Sequence, residues 1–153
     1  MKKLFITSSL ILFSPLIYGE TIDISCTQIV NRQESSSVTT VKNIKIITKS
    51  NNIANVFINN HNQTDSSKEV TSSVKGFRMN NSNIDFEIVW TQPPMRMGDK
   101  ELPGGTSTSH YSISRTSGNM SEFGYYTGFF ESLVGKKEDK KDYVCEPRKV
   151  NKF

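Results

Sequence analysis

The chain has 153 residues, with 19 basic and 15 acidic side chains, two histidines and two cysteines, and a formal net charge of +4. Two of the basic residues, Lys2 and Lys3, lie at the extreme N-terminus, and the balance of the rest is not that of a nucleic-acid-binding protein. The length suits one domain built on one core.

The N-terminus reads MKKLFITSSLILFSPLIYGE. Lys2 and Lys3 precede an apolar run from Leu4 to Ile17, and Gly19 is the small residue before Glu20. This is the layout of a secretory signal peptide, and the run is too short for a membrane span of about 20 apolar residues. Cleavage is expected after Gly19, leaving residues 20–153 as a single domain. Loss of Lys2 and Lys3 leaves 17 basic against 15 acidic residues, a net +2.

Alanine occurs once, at Ala54, while Asn, Ser, Thr and Ile are abundant, a composition that disfavours helices. Alternation supports strands throughout. Ile22, Ile24 and Cys26 share a face, as do Ile44 with Ile46, Val56 with Ile58 and Val70 with Val74. The clearest segment is NIDFEIVW, with Ile84, Phe86, Ile88 and Trp90 on one side and Asp85 and Glu87 on the other. Tyr111 pairs with Ile113, and Tyr143 with Cys145. KSNN and MNNSN supply polar turns, and NNHNQTDSS a longer polar loop. The pattern predicts an all-β protein, an antiparallel meander of about eight strands closing into a small barrel or sandwich. At most one short helix is expected, over Phe129 to Val134. GKKEDKK, Gly135 to Lys141, reads as a solvated turn or edge.

Cys26 and Cys145 lie near the two ends of the mature chain. Export places them where disulfides persist, and two cysteines allow one connectivity. The bond would close nearly the whole domain, worth about 4–5 kcal/mol in the chain-entropy treatment.

Catalytic signatures are weak. A Ser–His–Asp set would need His61 or His110, the serines sit in polar runs, and no GxSxG elbow occurs. Asp85 and Glu87 have carboxylates two residues apart on a wet strand face, not across a cleft. No HxH, HExxH or CxxC spacing asks for a metal, and no cofactor is implied. Met95 and Met97 offer thioethers, which suit Cu(I) but equally suit adaptable contact surfaces.

The most unusual segment is TQPPMRMGDKELPGGT, Thr91 to Thr106. Its prolines and glycines are expected to exclude regular structure, and loops this long in compact domains commonly carry function. Met95, Arg96, Met97, Lys100 and Leu102 suit a partner contact. Arg115, Tyr125 and Tyr126 are expected to extend that surface, since Tyr and Arg are enriched at hot spots. HYSISRTSGNMSEFGYY itself reads as a hairpin: a strand at 110–115, a TSGN turn with Gly118 at positive φ, and a returning strand at 120–126.

Trp90, the RTSG run from Arg115 to Gly118 and the two terminal cysteines resemble the layout of small exported proteins of Gram-negative bacteria and their prophages. That resemblance implies no catalytic residues. TSGNMSEFGYY is similar in residue types to the Ser/Gly/Tyr hairpin of periplasmic lysozyme inhibitors, small disulfide-bonded β-barrels whose hairpin enters the enzyme's cleft. Together these features lead us to expect a periplasmic or secreted binding protein of inhibitor or immunity type, not an enzyme. Its partner would be a protein or surface polymer of the cell envelope or outside the cell. An envelope-structural or host- or glycan-contact protein is the alternative, with a small hydrolase third.

Overall fold

The computed structural model describes residues 19–29, 40–50, 52–63 and 70–148. The expected leader up to residue 18 and the serine run at 34–37 lie outside these residues. Among the described residues the chain forms eleven strands and one helix. The first four strands are β1 (Thr21–Gln28), β2 (Val41–Ser50), β3 (Ile53–Ile58) and β4 (His61–Asn62). Next come β5 (Thr71–Met79) and β6 (Asn83–Gln92), then the short β7 (Met95–Met97) and β8 (Lys100–Leu102). β9 (Gly105–Ser114), β10 (Asn119–Tyr126), helix α1 (Phe129–Val134) and β11 (Glu138–Pro147) complete the order.

Nine strands form one antiparallel sheet in the order β4-β3-β2-β1-β11-β10-β9-β6-β5, curled into a half-barrel. Neighbours in sequence are neighbours in space, except where β6 meets β9 and where the two terminal strands meet. There β1 lies against β11 with Cys26 directly opposite Cys145, and their disulfide spans Cα atoms 3.9 Å apart. The far edges approach each other where Ser72 Oγ on β5 donates to the Gln63 carbonyl at 2.9 Å, beside β4.

The alternation read from the sequence is the alternation of the two sheet faces. Ile44, Ile46, Val56, Ile84, Phe86, Ile88, Ile113, Met120 and Tyr143 fill the concave side, with Phe86 stacked on Tyr111 at 5.0 Å between ring centroids. Asp85, Glu87 and His110 face the convex side, where Ser112 Oγ donates to Asp85 at 2.7 Å. Gly118 takes φ 72° in the β9–β10 turn, and a Cβ there would stand 2.8 Å from the Cys145 carbonyl oxygen. The turn therefore needs glycine twice, for its left-handed backbone and for its approach to β11.

Four expectations change. The Thr91–Thr106 segment is not irregular: β7 and β8 pair as a separate hairpin, Met95 opposite Leu102 and Arg96 opposite Glu101. Pro93, Pro94 and Pro103 fall outside the paired residues, where no amide is required to donate, and Gly98 turns the chain at φ 62°. The charged run before Tyr143 is strand from Glu138 onward, because both of its faces carry charge and alternation was hidden. His61 and Asn62 leave the predicted loop to pair with Ile58 and Phe57 across Asn59 and Asn60, both at positive φ. β9 starts at Gly105, five residues before the predicted strand, because its Thr/Ser stretch carries no apolar signal.

Candidate functional site

The two ends of the half-barrel differ. At one end the connections are tight: the β5–β6 turn at Asn80–Ser82 and the β9–β10 turn at Arg115–Gly118. At the other end lie the β7–β8 hairpin and the segment carrying α1. Long connections on a rigid sheet are where binding surfaces are built.

The base of the hairpin is locked to the base of α1. A Cβ on Gly105 would collide with the Thr127 carbonyl oxygen, and one on Gly128, at φ 56°, with that of Gly104. Thr127 N donates to the Thr106 carbonyl at 2.9 Å, Thr106 N to Thr127 Oγ1 at 3.0 Å, and Phe129 N to the Gly104 carbonyl at 3.3 Å. Two backbones thus meet with no side chain between them, and Gln92 Nε2 donates to the Pro93 carbonyl at 3.3 Å beside Met95. The hairpin projects from this junction with Arg96 and Lys100 exposed.

The predicted contact residues divide between places. Met95, Arg96, Met97, Lys100 and Leu102 share the hairpin. Tyr125 lies at the same end on the convex face, 49 % exposed, its ring edge-on to Phe123 at 4.7 Å. Tyr126 points to the concave face, where its hydroxyl would stand 2.8 Å from a Cβ on Gly124. Arg115 is at the tight-turn end, about 25 Å away along β9. Its Nη2 donates to Glu20 Oε1 at 2.7 Å and its Nη1 to the Asn80 carbonyl at 3.0 Å. The hairpin and Tyr125 therefore lie at the same end of the sheet, and Arg115 lies at the other.

A polar cluster that sequence reasoning missed lies inside the curl. Glu122 is buried and accepts four hydrogen bonds. Lys42 Nζ reaches both its oxygens, at 2.7 and 2.6 Å, Tyr111 donates at 3.0 Å, and Tyr143 at 2.7 Å. Lys42 Nζ also stands 5.2 and 5.6 Å from the ring centres of Tyr111 and Tyr143. Burial opposes ionisation of Glu122, yet the charge and hydrogen bonds of Lys42, with the two tyrosine donors, outweigh it and hold the carboxyl below its ordinary range. Burial, and then Glu122, push both tyrosine hydroxyls far above their ordinary range, so they remain donors. The signal was present in the sequence: Lys42 is in phase with Ile44 and Ile46, and Glu122 with Met120.

Chemically this cluster is charge-balanced. Its carboxylate is occupied by three donors through four hydrogen bonds, and its tyrosine hydroxyls are held in the protonated form. It braces the curl rather than presenting a nucleophile or a free base. His110 on the convex face stands 3.7 Å from Glu87, and His61 lies on the edge strand β4. Among the described residues no group of three or more His, Cys, Asp or Glu is arranged to hold a metal. The chain matches no protein-family model, no curated protein and no solved structure.

Proposed function

We propose that this is an exported binding protein, periplasmic or secreted, that occludes a macromolecular partner of the envelope as an inhibitor or immunity protein does. The observation that carries the reading is the β7–β8 hairpin: a finger with its own strand pairing, seated on a glycine junction that fixes its base. A finger held in one shape loses little conformational freedom on binding, which favours affinity. Arg96, Lys100, Met95 and Leu102 give it charge and apolar area together, and Tyr125 adds an exposed aromatic at the same end. The apolar leader and the Cys26–Cys145 bond both support an oxidising compartment outside the cytosol.

The test is capture with purified protein, disulfide formed, from envelope extract and against purified lysozymes. A second bait has residues 95–102 replaced by Gly and Ser. The expected outcome is a 1:1 complex with the first bait that is lost with the second. A partner held equally by both baits removes the hairpin from the contact, and no partner for either bait ends the inhibitor reading.

A further inference from the structure

Trp90, the chain's single tryptophan, continues the inward face of β6 after Ile84, Phe86 and Ile88. Those three are at most 2 % exposed, whereas Trp90 is 37 % exposed. Gln92, the next residue on this face, and Ser72, opposite Trp90 on β5, are buried again, so the indole marks a local opening on the side toward β9. In register across the next two strands, Trp90 stands opposite Ser107, and Ser107 opposite Tyr126. Two aromatic residues thus flank one serine, their Cα atoms about 10 Å apart at ~4.8 Å per strand. Tyr126 lies back over Gly124, which leaves the ground above Ser107 and Ser109 uncovered, and both serines remain partly exposed.

The inner end of this trough is polar and fixed. Ser109 precedes Tyr111 on the same face of β9, and the Tyr111 hydroxyl donates to Glu122. Asp139, in register with Gly124, holds Lys141 at 3.0 Å and Lys136 at 2.8 Å. Lys42 is matched by Glu122, and Lys136 and Lys141 share Asp139, so the trough carries one unmatched positive charge and no strong field.

We propose that this mouth of the concave face, between Trp90 and Tyr126, is a binding site for a neutral saccharide. A pyranose ring presents C–H groups on its faces and hydroxyls around its rim. Trp90 and Tyr126 offer ring faces to the first, and Ser107, Ser109, Asp139 and Lys141 offer donors and acceptors to the second. A nucleotide or other multiply charged ligand would need several unpaired basic groups, which a single unmatched charge does not supply. An acyl chain would have to bury against hydroxyls and carboxylates. The site is on the concave face and is independent of the partner contact assigned to the hairpin.

Because Trp90 is the sole tryptophan, its fluorescence reads the site directly. The disulfide-bonded protein is titrated with N-acetylglucosamine tetramer, maltotetraose and cellotetraose, with adenosine and octanoate as chemical contrasts. The expected result is a saturable change with at least one saccharide, at a dissociation constant of about 0.1–1 mM. By calorimetry, Trp90→Ala and Ser107→Phe, the second filling the trough without removing the indole, each weaken binding about tenfold or more. Both variants are checked for an unchanged circular dichroism spectrum, and Ser107→Phe decides the matter if Trp90→Ala fails to fold. No response to any of the three saccharides up to the order of 10 mM overturns the proposal. So does unchanged affinity in the folded variants, or a stronger response to adenosine or octanoate than to every saccharide.

Discussion

Glu122 keeps a negative charge inside the curl because three donors meet it with four hydrogen bonds, and removing one of them exposes what the others were offsetting. Lys42→Met leaves the carboxylate buried without its cation, which costs about 3 kcal/mol. Against a domain stability of roughly 5–15 kcal/mol, the loss is plain as a lower urea midpoint. The double variant Lys42→Met, Glu122→Leu removes the charge along with its partner and recovers most of that loss. If the single variant's midpoint is unchanged, the cluster is not bracing the sheet. The same residues set the pH limits. Glu122 titrates lower when folded than the ~4.3 of an unfolded glutamate, so its contribution is complete above that value. It is lost as pH falls through the folded pKa, and Glu122→Gln flattens that acid limb. Tyr111 and Tyr143 titrate higher when folded than the ~10 of an unfolded tyrosine. Their contribution is complete below pH ~10 and is lost as the pH rises past it, so Tyr143→Phe flattens the alkaline limb. At this scale the sequence was half legible. A lysine in phase with two isoleucines was visible, but its partner lies 80 residues away on another strand, and no local pattern joins them.

Among the elements, those with an apolar period were readable and those without were not. NIDFEIVW and TIDISCTQ became β6 and β1 because β-branched and aromatic side chains alternate with polar ones, the signature of a half-buried strand. The helix fell on Phe129–Val134 as expected, between Gly128 and Gly135. The first half of β9 and the first half of β11 escaped because their inward residues are Gly, Ser, Asp and Lys, small or charged side chains lining an open trough. The β7–β8 hairpin escaped because three prolines masked two three-residue strands. Its glycines mark contact rather than looseness, and that is testable. Gly128→Ala forces a Cβ onto the Gly104 carbonyl at a left-handed backbone position and costs about 2 kcal/mol. Amide exchange at the hairpin base, residues 104–106 and 127–129, is expected to speed up. Unchanged protection there would mean that the junction does not hold the finger.

For the molecule as a whole, the decisive pairing is that of first strand with last. Composition and export context pointed to one disulfide, and the structure places it across two adjacent strands in the middle of the sheet. Neither the curl nor the separation of a wide-looped end from a tight-turned end could be read locally, since both depend on the sum of strand pairings. The segregation follows from them: apolar residues fill the concavity toward the tight turns, and hydroxyls, charges and the indole line it toward the long connections.

The placement of that bond also decides how the protein bears load. Tension applied at the two ends of the chain enters β1 and leaves β11 within a few residues of the cysteines, so the covalent link carries it and the 119-residue separation between them is bypassed. Stretched in an optical trap with the bond intact, the chain is expected to give no extension from that span. With a reductant present the same pull releases about 400 Å, at ~3.4 Å per residue. An anchor at one end and a cargo at the other would be joined by a strap of constant length, whatever force acts between them.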